Sequence, residues 1–432
     1  MNTPEDLLTR AVETVVPRDL AEKKLQSGKP VRIYLGIDPT GNKLHIGHSV
    51  PLRKLKAFQD AGHDVIFLIG SFTATIGDPS GRDHLREPLT LAKVEENFQT
   101  YKKQAGKILD FSKVKIVYNH EWLGKLKFDE ILKIASNFTV QQMLTRETFK
   151  QKLRKIICPA CKKLFPDPSV NSPNASEEKC ITTCTHCHSK VGFGLQDIFV
   201  EEGQRAIGLN EFLYPLMQGY DSVMLDVDCE LGGNDQLFNM LCGRTLQAAF
   251  QKREKFVLTT KLIEGTDGRK MSKTYDNCVY LEDPPEEMFG KVMSVKDELM
   301  TIYFECCTGV PMEEVKKILK GNPRDAKARL AREIVALYHG GNAAGDAEKA
   351  FDRVFKDKSL PADITEMKAK KGTSLLDLLV SAKLAPSKSE GRRLIEQGGV
   401  RLNNKVVRKL DAVVEEGVIN VGKRKFLKIT IS

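Results

Sequence analysis

The chain has 432 residues, 41% of them hydrophobic and 29% charged, which is enough for roughly three domains and at least one large core. These proportions exclude a disulfide-stapled miniprotein and a disordered or fibrous chain. The longest apolar runs, such as Val65–Ile69, fall far short of the ~18 residues that a membrane-spanning helix requires. The opening residues include Glu5, Asp6 and Glu13 and lack an apolar secretory segment, so the expected location is the cytoplasm. The net charge of +10 suits a polyanionic partner, and it is concentrated: from Gly372 to Ser432 twelve Lys or Arg face six Asp or Glu.

In chain order, Val31 to Ile37 is a short apolar run that ends in the turn formers Asp38-Pro39-Thr40-Gly41-Asn42. A helical pattern opens near Leu44 and stops at about Ala61-Gly62, and Asp64 to Gly70 reads as a second, continuously apolar strand. Two parallel strands around one crossover make a βαβ unit, and Val114 to Asn119 is a further strand candidate. Residues 1–282 therefore read as an α/β domain. A stretch rich in Cys, Pro and Ser, residues 154–203, breaks the pattern and reads as an inserted module. Residues 283–355 have helical spacing, 356–371 form a Lys-rich linker, and 372–432 read as a compact, basic α/β domain.

His45-Ile46-Gly47-His48 stands at the start of the first helix, where unpaired N–H groups and the helix dipole favour an anion. Lys270-Met271-Ser272-Lys273-Thr274 follows a glycine-containing loop, and its two ammonium groups suit a transient polyphosphate. A His-x-x-His pair alone reads as ordinary polar surface, and a lone Lys-x-x-Lys as a solvated turn. Both signatures in one α/β domain make coincidence a poor explanation.

Together they resemble the HIGH and KMSKS signatures of class I aminoacyl-tRNA synthetases, the second departing at Thr274, which keeps the hydroxyl of the usual serine. Tyr34-x-Gly36-x-Asp38-Pro39-Thr40, Ile76-Gly77-Asp78-Pro79-Ser80-Gly81, Tyr214-Pro215-Leu216-Met217-Gln218-Gly219-Tyr220-Asp221 and Gly232-Gly233-Asn234-Asp235-Gln236 narrow the resemblance to the tyrosyl-tRNA synthetases. Asn234 is a departure from the Ser or Thr usual there. The resemblance implies a Rossmann-type parallel-sheet catalytic domain and a two-step reaction: ATP activates tyrosine, which is then transferred to the terminal adenosine of tRNA(Tyr).

It also implies roles. Tyr34 and Asp221 match positions that hold the substrate phenol; Asp38, Asp78, Tyr214 and Gln218 match those around its ammonium group; Gln236 lies near its carboxylate. Gly36, Gly47, Gly233, Asp235 and Lys273 match ATP-binding positions. Thr40, His45, His48, Lys270, Lys273 and Thr274 match the catalytic set around the phosphates and adenine, with Mg²⁺ accompanying ATP. Homodimers are the rule in the family.

Cys158-x-x-Cys161 and Cys184-x-x-Cys187, separated by 22 residues, fit a four-thiolate zinc ribbon, with Cys180, His186 and His188 as spare ligand types. Four protein ligands leave no open position for water, so the expected role is structural. The insertion is atypical of the family. Residues 385–403 resemble the S4-like RNA-binding domain, and Lys388, Arg392, Arg393 and Arg401 would point cations at phosphates. Two rival readings are weaker. The sister tryptophanyl enzyme shares both signatures, but the Tyr34 and Asp221 pair and the C-terminal domain argue against it; an RNA-binding protein that has lost catalysis would carry damaged signatures, and here both are intact.

Overall fold

The computed structural model describes residues 3–41, 43–77, 89–146, 149, 155–157, 160–161, 164–166, 180–184, 186–193, 198–199, 208–272, 275–355, 365–370, 372–382, 384–403, 405–422 and 425–431. Asp78, Cys158, Lys273 and Thr274 lie outside them. The chain forms two compact units, Met1–Glu282 with Thr301–Met312, and Asp283–Met300 with Glu313–Ser432.

The first unit is built on six strands: β1 (Val12–Val16), β2 (Arg32–Ile37), β3 (Asp64–Ile69), β4 (Lys115–Tyr118), β10 (Cys229–Gly233) and β11 (Phe256–Thr260). Their spatial order is β1-β11-β10-β2-β3-β4, with β1 antiparallel to β11 and the other pairings parallel. The chain steps outward from β2 to β3 and β4, then resumes on the other side of β2 with β10 and β11. The direction of winding thus reverses between β2 and β10, and such a reversal opens a crevice beyond the carboxyl ends of the two strands. Asp38-Pro39-Thr40 follows β2, and Asn234-Asp235-Gln236 follows β10.

Both faces of the sheet are covered, which is why β3 is buried from Val65 to Ile69 rather than alternating. The Ile46–Asp60 helix contributes buried Ile46, Val50, Leu52, Leu55 and Phe58, and with Ser49 and Lys54 also buried it is covered around most of its circumference. The Leu209–Leu225 and Leu237–Gln251 helices approach closely at two glycines, where a Cβ on Gly219 would lie 2.9 Å from the backbone nitrogen of Gly243. Sequence reading finds β2, β3 and β4 but does not separate β1, β10 and β11. β10 carries Glu230 and two glycines in five residues, so it lacks the apolar run that marks a buried strand.

Within the insertion, β5 (Lys155–Ile157), β6 (Leu164–Pro166) and β9 (Ile198–Phe199) form a three-stranded sheet, and β7 (Cys180–Thr183) pairs with β8 (Lys190–Phe193). Strands this short show no periodicity in sequence.

Thr301–Met312 belongs to the first unit because it is tied there by charge. The Arg10 guanidinium donates to the carbonyls of Phe304 (3.3 Å), Glu305 (3.2 Å), Thr308 (2.8 Å) and Val310 (2.9 Å), closing the end of the Met300–Cys307 helix. Glu305 in turn accepts from the Ala11 N–H and from Lys261, each at 2.9 Å.

In the second unit the Pro285–Met293, Pro323–His339 and Gly341–Phe355 helices pack on one another. Asn322 caps the middle one by accepting from the Arg324 N–H at 2.9 Å, and Pro323 takes the first helical position. Strands β12 (Thr365–Ala369), β13 (Val400–Leu402), β14 (Lys405–Val406), β15 (Gly417–Val421) and β16 (Lys425–Ile431) form a sheet of order β12-β16-β15-β13-β14. Its core is Leu375, Leu379, Ile395, Val400, Ile419, Leu427 and Ile429, joined by the Leu375–Ser381 and Lys388–Glu396 helices.

Arg10→Ala removes a donor from four carbonyls at once, of which Phe304 keeps Thr308 as a donor. It is expected to lower the urea midpoint of the first unit by the equivalent of about 2–3 kcal/mol, with Arg10→Lys recovering part of it, read by equilibrium unfolding.

Candidate active site

The Leu209–Leu225 helix sets the site's plan. Tyr214, Gln218, Asp221 and Ser222 are spaced four, three and one apart, so they share the face turned to the sheet. Two hydrogen-bond chains run from this face to the crevice between β2 and β10.

The first begins at Tyr214, whose hydroxyl donates to Asp38 Oδ2 at 2.7 Å; Asp38 Oδ1 accepts from Thr73 Oγ1, also at 2.7 Å. Asn119 Nδ2 bridges Thr73 Oγ1 and Asp221 Oδ2, 3.2 Å from each, and Trp122 Nε1 donates to Asp221 Oδ1 at 2.8 Å. Burial pushes the Asp221 carboxyl well up from its ordinary value, with the charges of Glu230 and Asp38 adding to the rise, while the Trp122 and Asn119 donors oppose it. The arrangement depends on Gly70, where a Cβ would lie 1.9 Å from Asp38 Oδ1 and 2.4 Å from Thr73 Oγ1.

The second chain begins at Tyr34, fully buried in β2. Its hydroxyl lies 3.0 Å from Ser222 Oγ, which donates to Glu230 Oε2 at 3.1 Å. Glu230 stands directly beside Tyr34 in the β10–β2 register and is ion-paired with Lys255. Its other oxygen, Oε1, accepts from Gln218 Nε2 at 3.2 Å; Asn239 Nδ2 then donates to Gln218 Oε1 (2.8 Å) and Gln236 Oε1 (3.0 Å). Tyr34 and Asp221 therefore belong to different chains, and burial together with the charges of Glu230 and Asp221 raises the Tyr34 phenol well above its ordinary value.

The two signatures meet. Residues 44–46 run beside 279–281: the Ile46 N–H donates to the Val279 carbonyl and the Leu281 N–H to the Leu44 carbonyl, each at 2.9 Å. This pairing holds the loop that precedes Val279 at the start of the Ile46–Asp60 helix. A Cβ on Gly47 would lie 2.9 Å from His45 Nδ1 and 3.3 Å from Met271 Sδ, so glycine is what lets the loop approach. His45 Nδ1 accepts the Gly47 N–H and His48 Nδ1 accepts the His45 N–H, each at 3.2 Å, which leaves both ring protons on Nε2. Burial, with the charge of the His48 ring 3.8 Å away and tilted against it, lowers His45 to about 3, so the ring is neutral at physiological pH.

Asn277, buried beneath the loop, shapes it: its Oδ1 accepts the Ser272 N–H at 2.9 Å and its Nδ2 donates to Asp267 Oδ1 at 2.8 Å and the Lys270 carbonyl at 3.2 Å. Lys270 and His48 are exposed, and Gly36, Thr40 and Gly233 are placed at the carboxyl ends of β2 and β10. Asp235 Oδ1 would lie 2.6 Å from a Cβ on Gly233, so a side chain there would strike it.

Away from the crevice, the sulfurs of Cys161, Cys184 and Cys187 lie within 4.8 Å of one another, with Cys161 and Cys184 3.8 Å apart. A tetrahedral zinc with Zn–S bonds of about 2.3 Å sets its sulfurs about 3.8 Å apart, so the three thiols fit that ion. The His186 N–H donates to Cys184 Sγ at 3.4 Å. His186 and His188 are exposed beside the cluster. Lys388, Arg392 and Arg393 are exposed on the Lys388–Glu396 helix and Arg401 is exposed on β13. Lys388 pairs with Asp377 at 2.7 Å and Arg393 with Glu390 at 2.6 Å.

Sequence reading missed Thr73, Asn119, Trp122, Ser222, Glu230, Asn239, Lys255 and Asn277. Ser222 alone carried a readable signal, adjoining Asp221 on the helix face that already holds Tyr214 and Gln218. The rest are single polar residues that only the fold brings together.

A family profile described as tRNA synthetases class I (W and Y) matches residues 26–160 and 185–356, and an S4 domain profile matches residues 374–419. The chain belongs to the class I tRNA synthetases. Within that class, a protein of Carboxydothermus hydrogenoformans named Tyrosine--tRNA ligase is 41% identical, covering 98% of this chain and 97% of its own length. A Thermotoga maritima protein of the same name is 39% identical over 99% and 98% of the two chains. These relatives place the chain in the tyrosine–tRNA ligase family. The fold agrees with a solved C-terminally truncated mitochondrial tyrosyl-tRNA synthetase of Aspergillus nidulans, with a TM-score of 0.59 and 23% identity over 80% of this chain and 91% of that one.

Gly70→Ala drives a methyl into the Asp38–Thr73 bond without changing charge. It is expected to lower amino-acid-dependent exchange of pyrophosphate into ATP by about 100-fold while the far-ultraviolet circular dichroism stays native.

Proposed function

We propose that the chain activates L-tyrosine with ATP, forming tyrosyl-adenylate and pyrophosphate, and transfers the tyrosyl group to the terminal adenosine of tRNA(Tyr). The observation that carries this reading is the Asp221 carboxylate, fixed by Asn119 and Trp122 at the buried end of the crevice and close enough to Tyr34 to raise its phenol. Phenylalanine would leave this polar end without its hydroxyl partner, and a site built around a hydroxyl rejects the analogue that lacks one.

Asp38, Tyr214 and Gln218 hold the ammonium group, with Asp78 as a further contact from outside the described residues, and Gln236 lies toward the carboxylate. Gly36, Gly47, Gly233 and Asp235 receive the nucleotide. The tyrosine carboxylate attacks the α-phosphorus in line, and the bond to the leaving pyrophosphate breaks. Charge on the phosphate oxygens is the obstacle, so donors that act there most strongly in the transition state set the rate. Neutral His45 offers Nε2–H, Thr40 its hydroxyl, and Lys270, Lys273 and Thr274 the cations and hydroxyl of the loop, while His48 lies toward the adenine. Mg²⁺ enters with the phosphates as part of the substrate. In the second step a ribose hydroxyl of the tRNA attacks the activated carbonyl and AMP leaves.

Cys161, Cys184 and Cys187, with Cys158 supplying a fourth thiolate, hold a structural zinc. Lys388, Arg392, Arg393 and Arg401 contact tRNA phosphates, which makes affinity salt-dependent. Phe128 at 74% and Leu132 at 55% exposure lie one turn apart on a single helix face, a surface suited to a second copy in a homodimer. Among the described residues no helix is long and apolar enough to cross a membrane; the proposed location is the cytoplasm.

Pyrophosphate exchange run with tyrosine, phenylalanine and tryptophan is expected to respond to tyrosine alone. Asp221→Ala should erode the preference over phenylalanine more than it slows ATP use. Exchange with tryptophan would assign the sister activity, and no exchange would favour an RNA-binding protein. Mass spectrometry under native conditions should find one zinc per chain, lost together in the Cys184→Ser variant; its absence from freshly purified protein would refute the metal site.

A further inference from the structure

Lys255 and Glu230 form an ion pair sealed beneath the floor of the crevice, both at most 2% exposed at their side chains. Neither was assigned a part in binding or catalysis above. The ammonium group also meets Ser222 Oγ and lies 5.8 Å from the centroid of the Tyr34 ring. Room for it exists because residue 243 is glycine: a Cβ there would lie 2.6 Å from Lys255 Nζ, 2.7 Å from Ser222 Oγ and 3.1 Å from Glu230 Oε2. Burial lowers Lys255 from its ordinary value, and the adjacent Glu230 carboxylate works against that fall.

A buried pair of this kind stabilises little by itself, since the cost of removing two charges from water offsets their attraction. What sets this one apart is its connections. Glu230 Oε1 fixes the Gln218 amide, and Glu230 Oε2 with Lys255 fixes Ser222, the partner of the Tyr34 hydroxyl. One carboxylate thus spans the residues assigned to opposite ends of the amino acid. We propose that the Lys255–Glu230 pair is a positioning element for amino-acid recognition, orienting Gln218 toward the substrate ammonium group and Tyr34 toward its phenol. The inference rests on the tyrosine-site reading of Tyr34 and Gln218 given above.

The test is steady-state pyrophosphate exchange with full-length protein, taking KM for tyrosine and for ATP separately. Lys255→Met leaves Glu230 buried without its counter-charge and is expected to raise KM for tyrosine by about 10-fold or more, with KM for ATP within about twofold. Lys255→Met/Glu230→Gln restores neutrality and an acceptor for Gln218, and should recover most of the loss. A purely structural pair would lower the melting temperature and leave KM for tyrosine unmoved, which would overturn the proposal; so would a double variant no better than the single one. Should Lys255→Met fail to fold, Ser222→Ala decides, because it cuts the link to Tyr34 without altering charge. Its KM for tyrosine should rise by about threefold to 10-fold, the cost of one buried hydrogen bond, and no change would overturn the proposal. Tyr34→Phe and Gln218→Ala separate the two levels. If neither moves KM for tyrosine, the site reading itself fails; if both do and the Lys255 and Ser222 variants do not, the positioning role alone fails.

Discussion

The reversal of strand order between β2 and β10 is the constraint on which the rest of the molecule depends. A parallel sheet covered on both faces has no open surface for a ligand, except where neighbouring strands send their connections in opposite directions. There the chain leaves β2 through Asp38-Pro39-Thr40 and β10 through Asn234-Asp235-Gln236, so polar residues from distant parts of the sequence face each other across a gap. Placing polar groups at the floor of a buried crevice is costly unless each is paired, and the two hydrogen-bond chains pair most of them, with Asn239 Oδ1 an exception. The Leu209–Leu225 helix serves both chains, because its Tyr214, Gln218, Asp221 and Ser222 all point to the sheet.

A second element adjoins the crevice. Residues 279–281 lie beside 44–46, so the Lys270-Met271-Ser272 loop is anchored at one end to the start of the helix that carries His45. The loop's shape is set by its own backbone hydrogen bonds, such as Gly265 N–H to the Arg269 carbonyl, and by the Asn277 side chain, which accepts the Ser272 N–H and donates to the Lys270 carbonyl. Lys270 is exposed on this loop, while His45 at the start of the helix accepts the Gly47 N–H and stays neutral.

The residues proposed for binding and catalysis could be singled out in the sequence because they sit in compact local patterns. His45 and His48 occupy one helical turn, and Tyr214, Gln218 and Asp221 follow helical spacing. The residues that hold them were not legible. Asn119 and Trp122 reach Asp221 across about 100 positions, a separation that no local pattern records. Glu230 escaped notice for a different reason: it interrupts a strand that otherwise reads as a turn, and its role is visible only once β10 is laid against β2 in register.

The sequence by itself determined the α/β class, the two signatures, the cysteine spacing and the basic C-terminal domain, since each depends on residues close together along the chain. Tertiary structure decided which polar side chains share a network, that Thr301–Met312 packs with the first unit through Arg10, and that Lys255 and Glu230 lie beneath Tyr34. Hydrogen bonds and ion pairs act over about 3 Å of space. Only the folded chain brings residues hundreds of positions apart within that reach.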